Sequence, residues 1–221
     1  MNQVICTVDV VLLTLKDEQL NVALLKRDRE PYKGVAALPG GYIHVEEDGD
    51  AHEAALRVLF EKTAIIAPYL EQLATFSGPA RDPRGWSVSV SYYALVPYQV
   101  ILQANHPALK LVSIGRLPTL PFDHNKIIDT AAARLRSKSQ YSSLPCYLVS
   151  EPFTLPQLQK VYEAVMDQRI NKVSFRRKMT EMGMLEPADG QMEGGGAHRP
   201  AQLYRLKSQF REKLRVLERG L

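Results

Sequence analysis

The stretch from Leu38 to Ile65, LPGGYIHVEEDGDAHEAALRVLFEKTAI, holds the densest set of groups able to do chemistry. On a helix, Val58, Glu61 and Lys62 stand three and four apart and share one face. A Mg²⁺ ion wants oxygen ligands, usually carboxylates and water. With such an ion an enzyme neutralises a transferring phosphoryl group and makes the attacking hydroxide. This face offers one carboxylate, one apolar side chain and one ammonium. The ammonium repels a cation and attracts a diphosphate. The spacing therefore predicts a face unsuited to a metal ion and better suited to an anion. The same residues also fit an ordinary surface helix. Glu53, Arg57 and Glu61 fall at i, i+4 and i+8 as a salt-bridged stripe, with Ala55 and Leu59 facing a core.

Other elements must position these groups. Residues 3–15 and 20–26 are apolar and β-branched around a polar Lys16–Gln19 turn, which predicts a β-hairpin. Residues 35–38 enter the stretch as a strand and 50–63 form its helix. Residues 72–77 and 87–96 read as strands, the second alternating with one buried face. Between them lies an irregular loop, Gly78–Trp86, shaped by Pro79, Pro83 and Gly85. Its Arg81 and Arg84 are suited to bidentate contacts with diphosphate oxygens. Residues 123–138 read as a helix with Ile127, Ile128, Ala131 and Leu135 on one face. Pro145–Val149 reads as a short apolar strand.

Beyond Pro152 the chain changes character. Residues 155–167 form an amphipathic helix through Leu158, Val161, Tyr162 and Val165. A turn at Gln168–Asn171 follows, and Asn171 is placed to cap the next helix. That helix buries Phe175, Met179 and Met182 and carries Lys172, Ser174, Arg176, Arg177 and Lys178 on its other faces. A helix, a short turn and a basic amphipathic helix form a helix-turn-helix signal. Met184–Pro187 and Ala201–Leu206 are candidate strands around the glycine-rich Gly190–Gly196, with His198 and Arg199 on the returning edge. This order describes a winged helix. Basic side chains would neutralise phosphates and polar ones would read base edges. Ser208–Leu221 reads as a short amphipathic helix.

The 221 residues carry a net charge of +4. Residues 151–221 hold 13 basic and 9 acidic groups; residues 1–150 hold 15 of each. The whole excess lies in the C-terminal third, which suits a polyanion partner. Two cysteines, Cys6 and Cys146, are too few for a disulfide framework and fit a reducing cytosol. The N-terminus lacks the pattern of a signal peptide. No run is long and apolar enough to span a bilayer. The expectation is a cytoplasmic protein with no membrane partner.

Leu38–Ile65 resembles the Nudix box, Gly-x5-Glu-x7-Arg-Glu-x2-Glu-Glu-x-Gly. Gly41 and Glu47 fit, Arg57 comes two residues late, and only Glu61 remains of the three helix glutamates. Val58, Lys62 and Ala64 stand at the other positions. LPGG, this degenerate box, RDPRGWSVSVSYYALVP (81–97), LPTLPFDHNKIIDTAAARLR (117–136), KVSFRRKM (172–179) and HRPAQLYRL (198–206) together resemble the Nudix-related transcriptional regulators of NAD metabolism, the NrtR family. The resemblance spans nearly the whole chain.

It implies an α+β fold: an N-terminal Nudix α/β/α sandwich with a mixed sheet, then a C-terminal winged helix-turn-helix domain. The expected boundaries are 1–141 for effector binding, including the bridging helix 123–138, and 142–221 for DNA binding. The implied effector is ADP-ribose, with no cofactor, no metal and no catalytic residue. The implied effector-binding residues are Arg27, Tyr32, Gly40, Gly41, Glu61, Arg81, Asp82, Arg84 and Trp86. Within that set Arg27 is the candidate phosphate contact and Tyr32 the candidate base-stacking ring. The implied DNA-binding residues are Arg169, Asn171, Lys172, Ser174, Arg176, Arg177, Lys178, His198 and Arg199. The partner is double-stranded DNA with a palindromic operator, bound by a homodimer that represses genes of NAD metabolism. The alternative is a Nudix-type hydrolase of ADP-ribose or another nucleoside diphosphate, with an atypical metal site built from Glu46, Glu47, Asp48 and Glu53. A nucleotide-sensing adaptor with no DNA role would leave Lys172, Arg176 and Arg177 unexplained.

Overall fold

The computed structural model describes residues 4–193 and 201–212, of which 189–193 and 211–212 by backbone alone. The chain folds as two compact units. One comprises Met1–Thr14 with Leu20–Arg134; the other comprises Leu15–Gln19 with Leu135–Leu221.

The first unit is built on a seven-stranded mixed sheet. β1 (Ile5–Lys16) and β2 (Gln19–Lys26) form the expected hairpin. β3 (Ala36–Ala37) and β4 (Gly40–Tyr42) lead into α1 (Ala51–Thr63). β5 (Tyr69–Gly78) and β6 (Ser87–Leu95) follow. Then come α2 (Tyr98–Ala104) and β7 (Leu109–Ser113), an amphipathic pair that the sequence reading passed over. The strand order is β3-β2-β1-β6-β5, with β4 also paired to β1 and β7 to β2. β1 and β6 run parallel, Val8 beside Val90, while β5 and β6 are antiparallel. β6 therefore lies inside the sheet. Its second half, Tyr92–Leu95, is buried on both faces, not on one as its alternation predicts. An interior strand covered on both sides loses the polar face that alternation assumes.

α1 begins where Asp50 caps it by accepting the Glu53 N–H at 2.8 Å, and it ends at Ala64 in the left-handed region. It buries Ala54, Ala55, Val58 and Leu59 against Val8, Val10, Leu12 and Tyr92 of the sheet. α3 (His124–Ser139) is the long helix expected at 123–138, with Ile127, Ile128, Ala131 and Leu135 buried. Its Arg134 reaches Glu71 at 3.5 Å and the Leu73 carbonyl at 3.2 Å on β5. The division between units falls within α3, between Arg134 and Leu135.

The second unit continues with a 3-10 helix at Leu144–Leu148, where a strand was expected over Pro145–Val149. All five of its residues are buried. A short apolar run does not distinguish a strand from a buried helix by periodicity. Here Pro145 stands near the helix start with φ preset, and the Cys146 N–H bonds back to the Ser143 carbonyl at 2.9 Å. β8 (Phe153–Thr154) leads into α4 (Leu155–Met166), opened by a capping box between Thr154 and Gln157. α5 (Lys172–Met182), β9 (Leu185–Glu193), β10 (Ala201–Leu206) and the short α6 (Gln209–Glu212) complete the described chain. The three-stranded sheet has order β8-β10-β9. β9 runs several residues past the expected strand, into the glycine-rich segment. The remainder of that segment, His198 and Arg199 lie outside the described residues, as does most of the expected terminal helix.

Phe153, Leu158, Tyr162, Phe175, Met179, Met182 and Met184 form one core, with Cys146 and Leu206. Met179 and Met182 are packing residues, as their helical spacing predicts, and Met184 joins them from the residue just before β9. Burial pushes the Cys146 thiol up to about 12, so it is an inert part of this core. Tyr162 meets Phe175 edge-on at 5.4 Å between centroids and donates to the Ser142 carbonyl at 2.9 Å.

Candidate ligand pocket and candidate nucleic-acid interface

The first unit holds a cleft of about 280 Å³. Its walls come from β1, β4, the outer face of α1, the loops 27–30 and 81–84, and the start of α3. Of the nine implied effector residues, Arg27, Gly40, Gly41, Glu61, Arg81, Asp82 and Arg84 line it. Tyr32 and Trp86 do not, and both residues are nearly half exposed. Asp9, Tyr42, Lys62, Phe122 and His124 line the cleft too. The sequence reading gave none of Asp9, Tyr42, Phe122 and His124 a place in it. Phe122 and His124 stand inside the 117–136 segment, so the resemblance carried a signal for them. Asp9, on a strand that reads as core, carried none.

The floor is a buried polar network. Arg81, 7 % exposed, reaches Asp123 at 2.9 Å, Asp9 at 3.4 Å and the Ser87 hydroxyl at 3.2 Å. Ser89 donates to Asp9 at 2.6 Å. His124 accepts the Leu38 N–H at Nδ1, 3.1 Å away, so its proton sits on Nε2, which faces Asp9 at 3.5 Å. Burial pushes the Asp9 carboxyl up, but the hydrogen bonds from His124 and Ser89 and the Arg81 charge outweigh it. Asp9 therefore ionises below its ordinary value. Gly40 must be glycine here, because a Cβ would stand 2.2 Å from Asp9 Oδ1. Arg81 is thus a floor residue held by two carboxylates, whereas the sequence alone predicts a phosphate fork.

Arg84 is the exposed counterpart. Asp82 accepts from its Nε at 3.0 Å and from its outer nitrogen at 2.6 Å, and the same guanidinium donates to the Tyr42 hydroxyl. Burial raises the Asp82 carboxyl, yet the Arg84 bonds keep it ionised below its usual range. At the rim, the Arg27 guanidinium lies 4.9 Å from the Phe122 ring centre and donates to the Pro31 carbonyl at 2.7 Å. Tyr32 meets the same ring edge-on at 5.1 Å. Phe122 and Tyr42 are the phenyl and phenol rings that line the cleft, and Tyr32 stands behind Phe122.

The helix face that faces a diphosphate in a metal-dependent site does not fit Mg²⁺ here. Val58 is buried against Gly41, where an added Cβ would stand 2.9 Å from a Val58 methyl. Glu61 is paired with Arg57 at 3.3 Å. Lys62, a lysine where a metal site needs a carboxylate, lines the cleft. The four substitute carboxylates are absent from the walls. Arg57 forks onto Asp48 at 2.7 and 2.8 Å, Glu53 accepts the Gly49 N–H at 2.9 Å, and Glu47 lies 3.1 Å from His44. Among the described residues no group of three or more His, Cys, Asp or Glu is placed to hold a metal ion.

The inserted residues before Arg57 therefore serve a fold purpose. Asp48 turns the loop back through its bonds to Arg57 and to the His44 N–H. The Arg57 hydrogen bond holds the Asp48 carboxyl down at about 2. A carboxylate depressed in the folded state stabilises that state above its unfolded value near 4 and loses the contribution as pH falls toward 2. The melting temperature of Asp48→Asn, followed from pH 5 to pH 2, should fall less steeply than that of the wild type. Parallel curves would exclude the pair as an acid-sensitive brace.

In the second unit the turn between α4 and α5 is tied to α4. Glu163 accepts the Ile170 N–H at 2.9 Å and pairs with Arg169 at 3.3 Å, and Gln159 donates to the Ile170 carbonyl at 2.9 Å. Asn171 caps α5 by accepting from Val173 and Ser174 at 3.0 and 3.1 Å. Its side-chain oxygen is therefore engaged by the helix and not open to a base. Lys172, Ser174, Arg176 and Arg177 are exposed, opposite buried Phe175, Met179 and Met182. Lys178 is turned to Glu181 at 3.8 Å, which also faces Arg177 at 3.6 Å.

A mixed sheet beside a cleft lined by paired arginines and carboxylates, joined in sequence to two helices and a β-hairpin, defines a Nudix domain followed by a winged helix. The NUDIX domain family model matches residues 6–131, and the model of the NrtR DNA-binding winged helix domain matches residues 145–206. The chain is 40 % identical over 207 residues to the ADPR responsive transcriptional repressor NtrR of Acinetobacter baylyi, covering 92 % of this chain and 82 % of that protein. It belongs to the NrtR family. The crystal structure of Shewanella oneidensis NrtR complexed with a 27mer DNA matches with TM-score 0.88 at 40 % identity, covering 98 % of this chain and 99 % of that one. The NUDIX domain of the same Shewanella protein, complexed with ADP ribose, matches with TM-score 0.55 at 41 % identity over 61 % of this chain and 90 % of that one.

Proposed function

We propose that this chain is a transcriptional repressor of NAD metabolism genes that senses ADP-ribose with its Nudix unit and binds DNA with its winged helix. The carrying observation is a cleft that keeps the cations of a diphosphate site while its metal-facing helix surface carries Val58 and Lys62. Ligand domain 1–141 and DNA domain 142–221, a homodimer on a palindromic operator and a cytoplasmic location complete the reading. The A. baylyi relative's name and the two Shewanella complexes support it. The engagement of Asp48, Glu53 and Glu61 disfavours the hydrolase alternative.

In this site Lys62 and Arg84 neutralise the diphosphate that a metal neutralises in a hydrolase, and Phe122 offers a face to the base. Arg81 fixes the floor and holds Asp123, the residue just before α3. Ligand charge that competes for Arg81 would bias the start of α3, the helix that runs on into the second unit. A ligand shifts an equilibrium only through such a difference between states.

The test is fluorescence anisotropy of the full-length chain on labelled DNA from upstream of its own gene, with competitor DNA, titrated with ADP-ribose. Specific binding that ADP-ribose lowers is expected. Binding indifferent to ADP-ribose would remove the ligand, and absence of specific binding would remove the repressor. By calorimetry in EDTA, Arg84→Ala should weaken ADP-ribose about tenfold, the worth of one charge-assisted hydrogen bond at a partly exposed site. Lys62→Glu should abolish binding in EDTA and restore part of it in Mg²⁺. Wild-type binding that itself requires Mg²⁺ would refute the ammonium's role.

A further inference from the structure

The outward face of α5 is not uniformly polar. Val173, Arg176, Arg177 and Thr180 fall at i, i+3, i+4 and i+7 and share one exposed stripe. Val173 is 75 % exposed, and among the described residues it is the one large exposed apolar side chain of the second unit. A β-branched residue is a modest helix former, and one left in water gains nothing from burial. Local stability does not account for valine at this position. Its place does. Val173 is the second residue after the Asn171 cap, in the first turn of the second helix of a helix-turn-helix. That end of a recognition helix contacts base edges in the major groove. The apolar feature that a base pair presents there is the thymine C5-methyl group.

We propose that Val173 reads a thymine by packing its methyl groups on the C5-methyl, while Arg176 and Arg177 on the same stripe hold the helix to the flanking phosphates. This rests on the DNA-binding reading above. The two kinds of contact separate by reach. Arginine spans a gap to phosphate in any register, so it serves specific and non-specific binding alike. A valine is short, and its contact forms only when the helix is fully seated on the right sequence. Val173 therefore contributes to the ratio of specific to non-specific affinity and not to the salt dependence.

The experiment uses a duplex selected from a random-sequence pool by the full-length wild-type chain, with each thymine replaced in turn by deoxyuridine. One replacement should weaken the wild type about fourfold, the value of a single methyl group taken out of water. The same replacement should leave Val173→Ala unchanged, and Val173→Ile should keep the discrimination. All three proteins should share one slope of affinity against salt. Equal losses in wild type and Val173→Ala at every thymine would overturn the assignment while the DNA-binding reading stands. A pool that yields no enriched sequence would overturn both. Val173 is exposed, so its variants should retain the wild-type circular dichroism spectrum and melting temperature.

Discussion

Replacing Lys172, Arg176 and Arg177 together with alanine lowers the affinity of the full-length chain for duplex DNA about a hundredfold at 0.15 M salt. Each phosphate neutralised steepens the dependence of log affinity on log salt by about 0.9, so three contacts contribute a slope of about 2.7 and roughly that hundredfold at this ionic strength. The helix beneath is unharmed. Phe175, Met179 and Met182 face the core, and the three cations point away from it. Alanine is also the best helix former. Arg177 has Glu181 at 3.6 Å, an exposed pair whose loss costs little stability. The check is a set of titrations between 0.05 and about 0.3 M salt on one duplex. An unchanged slope would remove these residues from the phosphate interface.

Arg81→Ala destabilises the first unit by about 3 kcal/mol, the low end for breaking a buried ion pair by removing one partner. The loss leaves Asp9 and Asp123 without their shared cation. Asp9 retains Ser89 and His124, which keeps the figure at the low end. Urea unfolding of the variant reads the loss directly, provided the two units' transitions are resolved. Arg84→Ala serves as the comparison: its guanidinium is partly solvated, but its loss leaves the buried Asp82 with the residue-84 N–H alone, so it should cost about 1–2 kcal/mol, less than Arg81→Ala. Equal stabilities for Arg81→Ala and the wild type would mean that the floor network carries no net energy. A loss of ligand response in an Arg81, Arg84 double variant is therefore ambiguous. Arg84 alone tests the contact, and Arg81 tests the floor.

The sequence legibly held the periodic elements and the chemistry that is local to one of them. Apolar, β-branched runs around a polar turn placed the first hairpin, and the i, i+4, i+7 spacing of Phe175, Met179 and Met182 gave the buried side of α5 and hence its cationic side. Asn171 announced its own cap. Val58, Glu61 and Lys62, three and four apart on one helix, show a face with a single carboxylate without any knowledge of the fold. These are short-range facts set by helix and strand geometry. The layout of the site was a different matter. β1 runs parallel to β6, and only that pairing brings Asp9 beside Ser89 and under Arg81. Nothing along the chain links residue 9 to 81, 89, 123 and 124. The same topology made β6 an interior strand and erased the polar face its alternation promised. It also decided which arginine is buried: Arg81 and Arg84 look equivalent in sequence, three residues apart in one loop. The carboxylates of Asp9 and Asp123 draw one inward, and Asp82 with Tyr42 leaves the other at the surface. Residue type and spacing determined which chemistry the chain offers and which it lacks. Long-range pairing, through the desolvation and charge it imposes, decided which of those groups meet a ligand.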